Sequence, residues 1–251
     1  MTPEQYLSNP MGKGSAVVPN AQVKNKLNWE FGNLRLAMKC NLYIIADHWI
    51  LYHVKIPSKS MKNVVYDVVI EFDKTIIEEY GYDRIDNLQF KCWSNCPSFV
   101  YTYAKTFYDN GMLIDWLTEK YDKPILQEDS KVRNAYGIIS YERSLYSALR
   151  FILSGGRNLY SYILAHSIVF HKPDEIKRMI LSHDDIMIQY NRSKELAKIE
   201  KMKSERRDEE KSKKGKGKNN TIESVKSTNS IKKVGNISTK KISKVGKIKR
   251  I

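Results

Sequence analysis

Charge divides this chain before any pattern of hydrophobicity does. Residues 211–251 contain thirteen lysines and one arginine against a single acid, Glu223, whereas residues 1–210 hold 29 basic and 27 acidic side chains. The formal net charge of +15 therefore belongs almost wholly to the last 41 residues. Apolar side chains in that segment are single Val and Ile scattered among Lys, Ser, Asn, Thr and Gly. Such a stretch buries too little to offset the entropy of ordering it, so 211–251 is expected to be a disordered basic tail.

The other 210 residues are a different material. With 41% hydrophobic residues, the chain can bury the core of one large domain or two small ones. Three cysteines (Cys40, Cys92, Cys96) are too few and too odd in number for a disulfide framework, which favours a reducing compartment. Residues 1–18 lack the charged-then-apolar order of a signal peptide. The longest apolar stretches fall far short of the roughly 20 residues that span a membrane. The expected location is inside the producing cell, or in a particle assembled there.

Residues 1–28, with Pro3, Pro10, Gly12, Gly14 and Pro19 and no sustained periodicity, read as an extended arm. The body, 29–192, reads as α+β, with strands over 33–93 and helices over 96–192. Leu34, Leu36, Met38 and Cys40 alternate with Arg35, Ala37 and Lys39, the period of a half-buried strand. Asp47-His48 reads as a turn into a second strand over 49–56, and 63–72 and 88–93 supply a third and a fourth. Sequential strands with short links favour an antiparallel meander. After Trp93 the period becomes helical. Cys96-Pro97 opens a helix carrying Phe99, Tyr103 and Phe107, which Asn110-Gly111 stops. Further helices are expected over 112–121, over 141–153 with Gly155-Gly156 ending it, over 158–170, and from Pro173 to about Tyr190. Residues 193–210 alternate in charge and read as a solvated helical extension leading into the tail.

No catalytic or cofactor motif emerges. Gly12-Lys13-Gly14-Ser15 resembles the end of a phosphate-binding loop, but no glycine stands where the loop's first one belongs and no strand precedes it. Cys92 and Cys96, even with His48 and His53, do not make the paired spacing of a zinc site. Cys96 sits where a helix N-terminus would lower a thiol pKa, yet no base accompanies it. His183, Asp184 and Asp185 are consecutive on a helix and point apart. Glu78, Glu79, Asp83 and Asp86 read as solvated loop acids. No catalytic residue, metal or cofactor is assigned, and the chain is read as a non-enzyme. Trp93, Phe99, Tyr101, Tyr103, Phe107, Tyr108 and Trp116 have few cations among them (Lys91, Lys105). They read as core and protein interface rather than as a platform for bases.

The affirmative chemistry lies in the tail. Lys211, Lys213, Lys214, Lys216, Lys218, Lys232, Lys233, Lys240, Lys241, Lys244, Lys247, Lys249 and Arg250 are the expected nucleic-acid-binding residues. Cations on a flexible chain displace condensed counterions from DNA or RNA, giving salt-sensitive and sequence-blind association. Lysine is a point charge, and base reading favours the bidentate arginine fork, so this tail is built to hold rather than to read. A five-residue unit repeats within it, Lys233-Val234-Gly235-Asn236-Ile237 and Lys244-Val245-Gly246-Lys247-Ile248. No lipidation motif or bulky amphipathic helix accompanies the charge, so a membrane is not the expected partner.

One segment carries a family resemblance. Ser94-Asn95-Cys96-Pro97-Ser98-Phe99, Tyr101-Thr102-Tyr103-Ala104, Gly111-Met112-Leu113-Ile114, Arg133-Asn134 and Tyr141-Glu142-Arg143-Ser144-Leu145-Tyr146 are the residues concerned. Together they resemble a group of virion-associated or structural proteins of tailed bacteriophages. The resemblance covers residues 93–146 and implies a non-enzymatic role in a particle or its assembly, in a bacterial host. Its partners would be other virion or assembly proteins met through the aromatic-rich body, and DNA held by the tail. Two other functions fit the same sequence: a nucleic-acid-binding regulator with no particle role, and a metal-dependent nuclease using the loop carboxylates.

Overall fold

The computed structural model describes residues 1–10, 21–45, 49–73, 82–121, 123–127, 134, 137–165 and 170–216. The chain divides into two compact units, Met1–Lys201 and Met202–Ile251. The first is an α+β fold. Its sheet contains β1 (Lys39–Ile45), β2 (Trp49–Pro57), β3 (Val65–Asp73), β4 (Phe90–Ser94) and a short β5 (Phe170–His171), in the order β4-β3-β2-β1-β5. The first four form the expected antiparallel meander, and β5 adds to the outer edge of β1 in parallel. Between β2 and β3 the chain turns through Asn63, whose φ of 63° is a left-handed conformation that asparagine tolerates. No described helix is long and apolar enough to cross a membrane.

Alternation along the strands sends side chains to two covered faces. One face carries Tyr52, Ile70, Phe72 and Phe90, all buried, and meets α5 (Arg143–Ala165). Leu145, Leu149 and Ile152 form the inner stripe of α5. The other face carries Trp93, which stacks on Tyr121 at 5.3 Å, and Glu71, which accepts a 3.0 Å hydrogen bond from Trp116 Nε1. Cover on both faces leaves β2 and β3 buried at nearly every position, including the polar His53, Asp67 and Glu71.

The N-terminal arm is the largest departure from expectation. Pro3–Ser8 is a helix, α1, and Ala21–Leu34 is a second, α2. Thr2 caps α1 reciprocally with Gln5: Thr2 Oγ1 accepts from the Gln5 amide at 3.2 Å, and Gln5 Oε1 accepts from the Thr2 amide at 2.9 Å. Pro3 occupies the first helical position, which needs no donor. Tyr6 is fully buried, and its ring meets Phe90, Phe107 and Tyr141 edge-on at 6.1–6.4 Å. In α2, Leu27, Glu30 and Phe31 are buried at helical spacing. Asn25, Asn28, Gly32 and Asn33 depress its local propensity, so tertiary packing rather than propensity holds it.

The strand expected from residue 33 begins instead at Lys39. Leu34 ends α2, a 3₁₀ turn occupies Arg35–Ala37, and Leu36 is 97% exposed. The helical region differs from expectation at four further points. The helix opened by Cys96-Pro97 is two short ones, α3 (Pro97–Thr102) and α4 (Ala104–Asp109), ended as expected by left-handed Gly111. Residues 115–120 form a 3₁₀ rather than an α-helix. Arg143–Ala165 is one continuous helix through Gly155-Gly156, because a glycine inside a helix costs about 1 kcal/mol, which an amphipathic helix can absorb. The segment after Pro173 breaks at residues 180–182 into α6 (Pro173–Met179) and α7 (His183–Lys216). Ser182 and Asp185 cap α7 reciprocally, the Ser182 amide donating to Asp185 Oδ2 at 3.0 Å and the Asp185 amide to Ser182 Oγ at 3.1 Å. The helical extension therefore runs six residues beyond the expected 210.

Tyr6 provides a test of whether α1 belongs to the fold. Its hydroxyl donates to Ser140 O at 3.1 Å and accepts from the Glu142 amide at 2.7 Å. Tyr6→Phe strands that buried amide and is expected to cost about 1–3 kcal/mol. Urea denaturation should show a lowered midpoint with an unchanged slope.

Candidate nucleic-acid interface

Two clusters of buried ionisable groups lie on opposite faces of the sheet. The first is centred on Asp67 of β3, 2% exposed. Its Oδ1 lies 2.7 Å from His53 Nε2, so that nitrogen carries the proton facing the carboxylate. Its Oδ2 accepts from Asn95 Nδ2 and from the Leu181 amide, both at 3.2 Å. Asn95, just past β4, also accepts from the Asp67 amide at 2.8 Å and donates to Leu181 O at 3.0 Å. His183, 1% exposed, opens α7 and donates from Nδ1 to Asn95 O at 3.3 Å. Its other nitrogen, Nε2, then accepts from the Tyr101 hydroxyl at 2.9 Å.

A His–Asp pair is half of a nucleophilic triad, and this one is sealed. His53 is 1% exposed, and its Nδ1 has no hydrogen-bond partner among the described residues. A substrate cannot reach a ring so enclosed. Tyr101, 57% exposed, is where the network meets solvent. The arrangement ties the corner between α6 and α7 to the middle of the sheet.

The second cluster surrounds Glu142, the residue before α5, 1% exposed. Its Oε2 accepts from Ser144 Oγ at 2.5 Å and from the Leu145 amide at 2.8 Å, while Oε1 has no partner among the described residues. Burial raises its carboxyl pKa, and those hydrogen bonds only partly oppose it. Nearby, Cys96 was expected to be acidified by its helix N-terminus. Burial, then the charge of Glu142, instead push its thiol up to about 12, outweighing the hydrogen bonds of the Phe99 and Ser98 amides. Cys92 is likewise raised by burial. These are inert core thiols. Among the described residues no group of three or more His, Cys, Asp or Glu is placed to hold a metal ion.

The aromatic cluster, read as core and interface, is mostly core. Trp93, Phe99 and Phe107 are fully buried, whereas Tyr101 and Tyr108 stay about half exposed. Of the tail cations, Lys211, Lys213, Lys214 and Lys216 fall on the last turns of α7; Lys218 and the rest to Arg250 lie outside the described residues. So do Gly12-Lys13-Gly14-Ser15, Asp47-His48, Glu78-Glu79 and Arg133, which leaves the loop-acid arrangement undescribed. From Lys194 to Glu210 every side chain of α7 is exposed, with six cations and six acids. Charge is balanced over 194–210, and the cationic excess begins with the lysines of the last turns of α7.

Sequence reasoning passed over a second cationic region, around α2. Lys26, Arg35 and Lys39 are exposed, with Trp29 at 67% exposure between them in sequence. The acid within α2, Glu30, is 5% exposed and ion-paired to Lys59 at 2.5 Å and Arg143 at 2.9 Å. No described acid forms an ion pair with Lys26, Arg35 or Lys39. The signal available in sequence was a tryptophan opposite the Leu27/Phe31 stripe, hidden by reading 1–28 as an arm. Comparison with known proteins finds no match among protein-family models, curated proteins or solved structures.

Both buried carboxylates make testable statements. Asp67→Ala leaves His53, the Asn95 amide and the Leu181 N–H without their acceptor and should cost about 3–5 kcal/mol in chemical denaturation. The Glu142 carboxyl links stability to pH. Its folded pKa lies above its unfolded one, so the stability it lends is full in acid and is lost as pH rises through the raised folded value. Glu142→Gln should therefore gain stability relative to the parent as pH rises across that window; a difference independent of pH would contradict the assignment.

Proposed function

We propose that this protein is a non-enzymatic accessory of a bacteriophage particle or of its assembly, which holds nucleic acid non-specifically through the lysines of 211–251. The observation that carries the reading is the segregation of charge: thirteen lysines and one arginine against one acid in 41 residues, beside a body close to neutrality. A polycation of this density associates with any phosphate backbone by counterion release, whatever its sequence. The balanced, solvent-exposed helix of 194–210 supports it, because its own charges cancel and leave the attraction to the lysines beyond. The sealed His53–Asp67 pair and the buried thiols supply no accessible nucleophile, which favours holding over chemistry. The particle role draws on the likeness of residues 93–146 to phage virion-associated proteins.

Deleting 211–251 tests the reading. Full-length protein should lose about 10³-fold in DNA affinity between roughly 50 and 200 mM salt, as expected for about six phosphate contacts. The truncated protein should bind much more weakly and with a shallow salt slope; equal binding by both would sink the tail as the holding element. Co-sedimentation with assembled particles, and its absence for a soluble regulator, separates the particle role from regulation. Magnesium-dependent cleavage of plasmid DNA would replace both readings with the nuclease.

A further inference from the structure

We propose that the outer face of α2 and the turn after it form a second nucleic-acid contact, selective for unpaired bases, with Trp29 as the stacking group. The inference takes its ligand class from the proposed function and concerns a different part of the molecule. Along α2, Leu27, Glu30 and Phe31 face inward, which turns Trp29 out to 67% exposure. An exposed tryptophan loses apolar contact with nothing gained unless something covers it. Leu36, on the 3₁₀ turn after the helix, is 97% exposed as well.

Charge names the occupant. Lys26 lies one turn before Trp29, and Arg35 and Lys39 follow it on the 3₁₀ turn and at the start of β1, all three exposed. The carboxylate that would neutralise this face, Glu30, is turned inward and held by Lys59 and Arg143. Exposed cations that no described acid pairs with, on and just after a helix that carries an exposed indole, suit a phosphate chain with a base free to stack. Asn25 and Asn33 flank Trp29 one turn away on either side, and Asn33 Nδ2 donates to the backbone carbonyl of Trp29 at 3.1 Å. A duplex keeps its bases stacked internally, so Trp29 would discriminate single from double strands while the lysine tail does not.

The test uses the full chain and an oligothymidylate of about 20 nucleotides, beside a duplex of equal length. Single strands should quench the fluorescence of the parent, whose Trp93 is fully buried and whose Trp49 and Trp116 are partly buried, and Trp29→Ala should remove most of that quenching. Trp29→Ala should also weaken oligothymidylate binding about fivefold or more while leaving duplex affinity unchanged, and Trp29→Phe should recover part of the loss. Replacing Lys26, Arg35 and Lys39 together by Ala should make the salt slope shallower for single strands by about two to three phosphates. Failure of the tail shows as salt slopes unchanged by deleting 211–251; failure of this site shows as Trp29→Ala binding single strands within about twofold of the parent. Oligothymidylate affinity unchanged, with a mass in sedimentation that falls on Trp29→Ala, would make the face a contact between copies of the chain and overturn the proposal.

Discussion

Asp67 is a carboxylate placed in the middle of a sheet, at 2% exposure, where an uncompensated charge would unfold the domain. Its compensation comes from three directions: His53 on the neighbouring strand, Asn95 after the last strand of the meander, and the Leu181 amide at the corner between two helices. Each partner is fixed by needing the others. The Asn95 side chain makes two hydrogen bonds with Asp67 and one with Leu181, and the residue's backbone carbonyl receives His183. The strand order, the chain's exit from β4 and the entry into α7 are thus set by one acid, and Tyr101 carries the same network to the surface.

The opposite face is organised around the start of α5 in a comparable way. Glu142 caps the helix from inside the core, and Tyr6 receives the Glu142 amide while handing its proton to Ser140. Glu30 adds a second inward acid, held by Arg143 of α5 and Lys59 of the β2–β3 turn. The two N-terminal helices are joined to the body by these polar contacts as much as by apolar area. Turning Glu30 inward has a surface consequence, since it leaves the outer side of α2 with cations and an indole.

What the sequence made legible followed from short-range pattern. The meander was readable because β-branched and aromatic residues cluster in four runs with turn residues between them, and Gly111 stopped its helix as its conformational freedom predicts. The N-terminal helices were hidden, since asparagine, glycine and proline weaken local propensity and only Tyr6, Leu27 and Phe31, docked on distant residues, repay the cost. Leu34, Leu36, Met38 and Cys40 mimicked a strand because a helix end, a 3₁₀ turn and a strand start happened to place apolar residues two apart. Two-residue β5 had no readable period at all. Cys96 was misjudged because its helix N-terminus was visible in sequence and its burial was not.

By itself, the sequence determined that the chain is an α+β body with its positive charge gathered in the last 41 residues. Composition and periodicity act over a few residues, and those properties need nothing more. Only the tertiary structure decided which polar residues are interior. His53, Asp67, Asn95 and His183 are ordinary strand and loop residues until the fold brings them together, across up to 130 positions of chain. It also decided that Glu30 faces in and Trp29 faces out. The physical reason is that burying a charge is favourable only when its partners arrive together, and those partners are distant in sequence.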